Sequence, residues 1–178
     1  MKQKSLSQKI NWAFITVFYS GLAPKAPGTF GTIASLFIGI PILMYFGSQT
    51  LFLAATLISV VAIKEINKYE ATSDEHDDKR IVIDELAGMW FALSLAPGIT
   101  FMLGDVMTFE NGIALQLVLS FIFFRIYDIA KPSIIGRIDR EAPGGLGVMG
   151  DDIVAGFAAG ISSAIVWQLV VKFILTLI

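Results

Sequence analysis

The sequence contains no cysteine and a single histidine, His76. Disulfides, thiolate metal sites and cysteine nucleophiles are thereby excluded. One histidine likewise excludes multi-histidine metal sites and phosphatase chemistry built on two histidines. Charge is also scarce. Only 16% of the residues are Asp, Glu, Lys or Arg, where a soluble domain usually carries about 25%. The net charge of −2 gives no reason to expect nucleic-acid binding. Apolar residues are abundant instead, at 55% of the chain with a mean hydropathy of +0.72. Composition therefore predicts an integral membrane protein. The length predicts one domain over residues 1–178.

Five apolar stretches stand out: Phe30 to Phe46, Thr50 to Ile63, Leu86 to Leu103, Gly112 to Ile129 and Ile153 to Ile178. A spanning helix needs roughly 17–25 residues, so the second reaches that length only if it runs on through Lys64 to Lys68. Ahead of them, Lys2, Lys4 and Lys9 precede the stretch Ile10 to Tyr19, which Asn11 and Thr16 interrupt. With no small-residue cleavage site, this reads as an interfacial amphipathic helix rather than a signal peptide. The expected fold is an all-α membrane bundle of about five hydrophobic helices plus that N-terminal helix. Twelve of the thirteen basic residues, all but Lys172, fall on one side of the five-span arrangement. The positive-inside rule makes that side cytoplasmic.

The unusual residues converge on the same side. Asp84-Glu85 opens the third apolar stretch and Asp151-Asp152 the fifth. Either pair alone reads as helix capping, with a favourable charge at the positive end of the helix dipole. Two pairs together offer four carboxylates to a hard cation such as Mg²⁺, which prefers oxygen ligands and often bridges to a phosphate. Arg125, Asp128 and Lys131 are spaced by three, which puts them on one helix face. Pro132 is expected to end that helix. The cations could hold phosphate while Asp128 orients Lys131 or ligates metal. The alternative is a self-satisfied ionic network. The loop from Gly21 to Thr32 carries Lys25, Thr29 and Thr32 into the first span. There they could hold an anion, or one threonine could simply cap the helix. Arg137 and Arg140 could meet anionic headgroups. Gly145 to Gly150 matches GxGxxG literally, but no strand precedes it and an acidic pair follows. It is expected to form a tight loop.

Taken together, GLAPKAPGTFGT (21–32), IVIDELAGMW (81–90), FRIYDIAKP (124–132) and GGLGVMGDDIVAG (144–156) resemble the phosphatidylglycerophosphatase A family. His76-Asp77 resembles part of the same pattern. The resemblance implies hydrolysis of phosphatidylglycerophosphate to phosphatidylglycerol and inorganic phosphate, dependent on Mg²⁺, at the cytoplasmic face of a bacterial inner membrane. It implies a site in which Asp84, Glu85, Asp151 and Asp152 hold metal. Lys25, Thr29, Thr32, Arg125, Arg137 and Lys131 would grip phosphate. Asp128 or Asp77 would act as general base, unless Asp128 attacks directly. Two alternatives stand beside this reading. One is a phosphatase acting on another lipid phosphate, such as phosphatidic acid. The other is a small transporter or scaffold, which predicts charges at span centres.

Overall fold

A computed structural model describes residues 5–73, 78–96 and 113–177. It is all-helical, with no strand among these residues. The order is α1 (Leu6–Ile15), a short 3-10 turn (Ser20–Leu22), α2 (Pro27–Glu70), α3 (Ile83–Leu95), α4 (Ile113–Ala130), α5 (Ile134–Glu141) and α6 (Gly144–Leu177). His76 and Asp77 lie outside the described residues, as does the connection 97–112.

Helix α1 starts at a capping box, in which the Ser5 and Gln8 side chains each accept the other's backbone N–H. One face is pinned inward: Asn11 Nδ2 donates to Glu65 Oε2 at 2.5 Å. Leu6 and Ile10 on the other face stay exposed. An interfacial amphipathic helix was expected to have that split character.

The first two apolar stretches are the arms of one element. In α2 the backbone leaves helical geometry at Gly47 (φ 81°, ψ 171°), dividing it into 27–46 and 48–70. Glycine carries that left-handed φ without steric cost. Both arms pack on α3. Trp90 Nε1 donates to the carbonyl of Ser35 in the first arm at 2.9 Å. Phe91 meets Phe52 of the second arm edge-to-face at 5.2 Å between centroids.

Helix α3 is buried almost all round, from Ile83 to Leu93, so it is the centre of the bundle. Against α6 its backbone comes into direct contact, since a Cβ added at Gly156 would stand 2.2 Å from the Gly88 carbonyl. Small residues at helix crossings allow this approach, as they do between membrane helices.

The outward faces are apolar. Phe37, Phe46, Leu53, Leu57, Ile161 and Ile165 are all exposed. Two helices, Pro27–Glu70 and Gly144–Val170, are long and apolar enough to cross a membrane. Long apolar helices with apolar outer faces are the features of a membrane protein.

Three expectations need correction. The third stretch was expected to span Leu86 to Leu103, but α3 ends at Leu95 and Ala96 is extended (ψ 121°). Pro97 follows, and a residue before proline is driven out of the α region. At about 1.5 Å per residue, 13 residues of helix fall short of a roughly 30 Å hydrocarbon core. Secondly, Gly145 to Gly150 is not a loop, because α6 already begins at Gly144. Its glycines serve close packing: a Cβ at Gly145 would meet the Ile63 carbonyl at 2.5 Å. Lastly, none of the candidate caps is one. The residue preceding α2 is Ala26 and that preceding α3 is Val82. Thr29 and Asp84 thus lie in the first turns of α2 and α3, Thr32 in the second turn of α2, and Asp151-Asp152 two turns inside α6.

Candidate active site

Backbone hydrogen bonding sets the entry to α3. Val82 N–H donates to the Ile15 carbonyl at 3.0 Å, tying the start of α3 to the end of α1. Just upstream, buried Asp78 accepts from Arg80 Nη2 at 2.5 Å and from the Tyr69 hydroxyl at 2.8 Å. Burial alone would raise the Asp78 carboxyl, but these donors and the Arg80 charge hold it down at about 2. This segment delivers Asp84-Glu85 to the inside of the bundle.

There the pair meets α6. Asp84, Glu85 and Asp152 each offer one carboxylate oxygen, and the three atoms lie within 4.8 Å of one another. Glu85 is 9% exposed and Asp152 2%. Asp84 Oδ1, Glu85 Oε2, Asp151 Oδ1 and Asp152 Oδ2 are buried without a hydrogen-bond partner. Clustered buried carboxylates repel one another, and each unpartnered oxygen carries its own desolvation cost. Hard oxygen donors converging with lone pairs unspent fit a divalent cation such as Mg²⁺.

Two cations flank the cluster. Arg125 Nη1 pairs with Asp128 Oδ2 at 2.6 Å and donates to Thr32 Oγ1 at 3.2 Å. Thr32 in turn donates to the Gly28 carbonyl at 2.9 Å. A Cβ at Gly28 would stand 2.2 Å from Glu85 Oε1 and push the end of that side chain aside. The first turn of α2 therefore lies directly against the cluster. The charge of Asp128 reaches Glu85 and Asp152, so this carboxylate belongs to the same electrostatic unit.

On the other flank, Lys131 Nζ donates to Asp151 Oδ2 at 2.7 Å and to Asp139 Oδ1 at 2.5 Å. Burial works against its charge, but the two carboxylates outweigh that and push the ammonium above the ordinary lysine range. Its backbone is strained: Lys131 has φ 43° and Ser133 φ 52°, on either side of Pro132. Such conformations cost about 1–3 kcal/mol each and cluster at functional sites.

The proposed role of Asp128 in orienting Lys131 does not survive. Spacing by three puts residues on one face only while the helix continues, and α4 ends at Ala130. Lys131 turns away to α5 and α6, leaving Asp128 to Arg125. Asp139, which the sequence reading missed, is a partner of Lys131 where Asp128 was expected. The sole signal for it was a short run, 134–141, mixing apolar and charged residues. Lys25 and Arg137 are exposed and Thr29 is partly buried. None of these three has a polar contact with the carboxylates among the described residues. The cavity between α1 and the end of α2, lined by Asn11, Trp12, Lys68 and Tyr69, shares no residue with the cluster.

A model of the family described as phosphatidylglycerophosphatase A matches residues 13–167, which include every flank of this site. The chain belongs to the phosphatidylglycerophosphatase A family. An Escherichia coli (strain K12) protein named phosphatidylglycerophosphatase A is 35% identical over 153 residues, covering 84% of this chain and 80% of that protein. One of the same name from Haemophilus influenzae is 29% identical over 142 residues, covering 80% and 79%. A Bacteroides thetaiotaomicron protein, provisionally named a phosphatidylinositol-3-phosphatase, is 32% identical over 145 residues, covering 79% and 83%. No solved structure matches the chain. The family is one of phosphatases, and phosphatase chemistry suits a site of clustered carboxylates flanked by two cations. The transporter or scaffold alternative is set aside with this membership.

Proposed function

We propose that this protein hydrolyses phosphatidylglycerophosphate to phosphatidylglycerol and inorganic phosphate, with Mg²⁺ as cofactor. One observation carries the reading. Asp84, Glu85 and Asp152 meet within 4.8 Å with buried oxygens unspent, beside Arg125 and Lys131, in a bundle whose outer faces suit lipid. Asp84, Glu85 and Asp152 would hold the metal, with Asp151 adjoining through Lys131. When bound, Mg²⁺ supplies charge neutralisation at the phosphate. Arg125 and Lys131 grip nonbridging oxygens and stabilise the charge that spreads over them in a loose transition state. Asp128 faces the cluster and takes a proton from the attacking water. Asp77 lies outside the described residues and has no placed role. Lys25, Thr29 and Arg137 would meet the anionic headgroup as it arrives. The basic residues that lie in or beside the site segments, Lys25, Arg125, Lys131, Arg137 and Arg140, support a site on the cytoplasmic side of a bacterial inner membrane.

The test is phosphate release by purified protein in detergent. Phosphatidylglycerophosphate, phosphatidic acid and phosphatidylinositol-3-phosphate are compared, each with Mg²⁺ and with chelator. The first lipid should be turned over fastest, and only with Mg²⁺. Preference for either of the others overturns the substrate, and turnover unaffected by chelator overturns the metal.

A further inference from the structure

Asp139 is the one carboxylate at this site to which neither the sequence nor the proposed mechanism assigns a task. It sits on α5, the short helix that follows the strained turn at Lys131 to Ser133. Its Oδ1 lies 2.5 Å from Lys131 Nζ, while Asp151 of α6 holds the same nitrogen at 2.7 Å. The position of α5 is closely set. Ile135 and Gly136 are buried, and a Cβ on Gly136 would stand 2.5 Å from the Lys131 carbonyl, a backbone atom that cannot give way. Gly150 of α6 also lies against Ile138, where an added Cβ would come within 2.9 Å of Cγ2.

A lysine ammonium is a point charge on a flexible stem with three donors. One carboxylate partner leaves it free to swing. Two partners on different helices commit two donors and fix the direction of the third. Stability does not explain the arrangement, because the Asp139 side chain is 37% exposed and pairs that exposed contribute little. We propose that Asp139 is a positioning residue for phosphoryl transfer, aiming the third Lys131 N–H at the substrate phosphate. The proposal rests on the phosphatidylglycerophosphatase reading above.

The test measures kcat and KM on phosphatidylglycerophosphate for five proteins: wild type, Asp139→Asn, Asp139→Glu, Lys131→Gln and the double Asp139→Asn/Lys131→Gln variant. Asp139→Asn should lower kcat about tenfold while KM stays within about twofold, since an unaimed ammonium still attracts the ground-state phosphate but no longer fits the transition state. In the Lys131→Gln background the same substitution should change nothing further, because the group it aims is gone. Asp139→Glu should recover part of the lost kcat. An active wild type with Asp139→Asn unchanged overturns the proposal. So does an equal loss in both backgrounds, which marks a structural role. A wild type inactive on this lipid overturns the parent reading and the proposal with it.

Discussion

The two cationic flanks of the carboxylate cluster are built in opposite ways. Arg125 and Asp128 stand one turn apart on α4, both about 15% exposed, and the pair is extended by Thr32 and the first turn of α2. Its backbone is ordinary helix. Lys131 lies beyond the helix end on a left-handed residue, a third exposed, and reaches partners on α5 and α6. The enclosed flank joins α2 to α4 and so serves packing and chemistry together. The rim flank is held by strain and by a small helix, with little buried area depending on it. A cation set into the frame and a cation set at the mouth should therefore fail differently when removed.

The largest effect should come from the cluster that both flanks serve. Asp152→Asn should cut Mg²⁺-dependent phosphate release by roughly 100-fold or more, the scale seen when transition-state electrostatics are removed. Thermal stability in detergent should hold or rise, since a repelling charge is lost. Retention of near-normal turnover would remove Asp152 from the metal site. Arg125→Ala should then lower both activity and stability. It leaves Asp128 without its partner, at a cost of roughly 2 kcal/mol, visible as a clear fall in melting temperature. Lys131→Ala, made together with Asp151→Asn so that no buried carboxylate is stranded, should split the two readouts, with turnover down about tenfold or more but stability changed by less than about 1 kcal/mol. Equal destabilisation by both variants would erase the contrast between flanks.

Subtler still is Gly28→Ala. The added methyl displaces the far end of Glu85, which can move, so the fold should persist. The Mg²⁺ concentration for half-maximal activity should rise severalfold, because misplacing a reacting group by even about 1 Å is costly. An unchanged Mg²⁺ requirement would mean Glu85 is not a ligand. The smallest effect concerns Asp78, which supports the entry to α3 rather than either flank. Its carboxyl is depressed from 3.8 to about 2, so its ion pair stabilises the fold above pH 3.8 and that contribution fades as pH falls towards 2. Asp78→Asn should be less stable than wild type at pH 7, with the gap closing below about pH 4. A gap independent of pH would mean that packing, not charge, is what Asp78 contributes.

Much of the site could be read from residue types and order. The acidic pairs, Arg125, Asp128 and the end of α4 before Pro132 were all legible, since charge in an apolar chain is costly and proline breaks helices locally. The failures have separate causes. Asp128 was assigned to Lys131 on helical spacing, yet the helix stops one residue too soon. Gly145 to Gly150 looked like a loop because glycine is read by its backbone freedom, whereas here its missing side chain admits the α2 backbone. Asp139 was overlooked because an exposed acid on an eight-residue helix has nothing local to distinguish it.

Composition and order alone determined that this chain is all-helical, apolar on its outside, and equipped with carboxylates and cations fit for phosphate. These follow from the cost of exposing backbone or charge to hydrocarbon, which every segment meets by itself. Tertiary structure alone decided which three carboxylates converge, that Arg125 reaches Thr32, and that Lys131 is shared by Asp151 and Asp139. Those pairings join residues up to 93 positions apart, as between Thr32 and Arg125. They exist only where glycine contacts bring α2, α3 and α6 close enough for charges to meet.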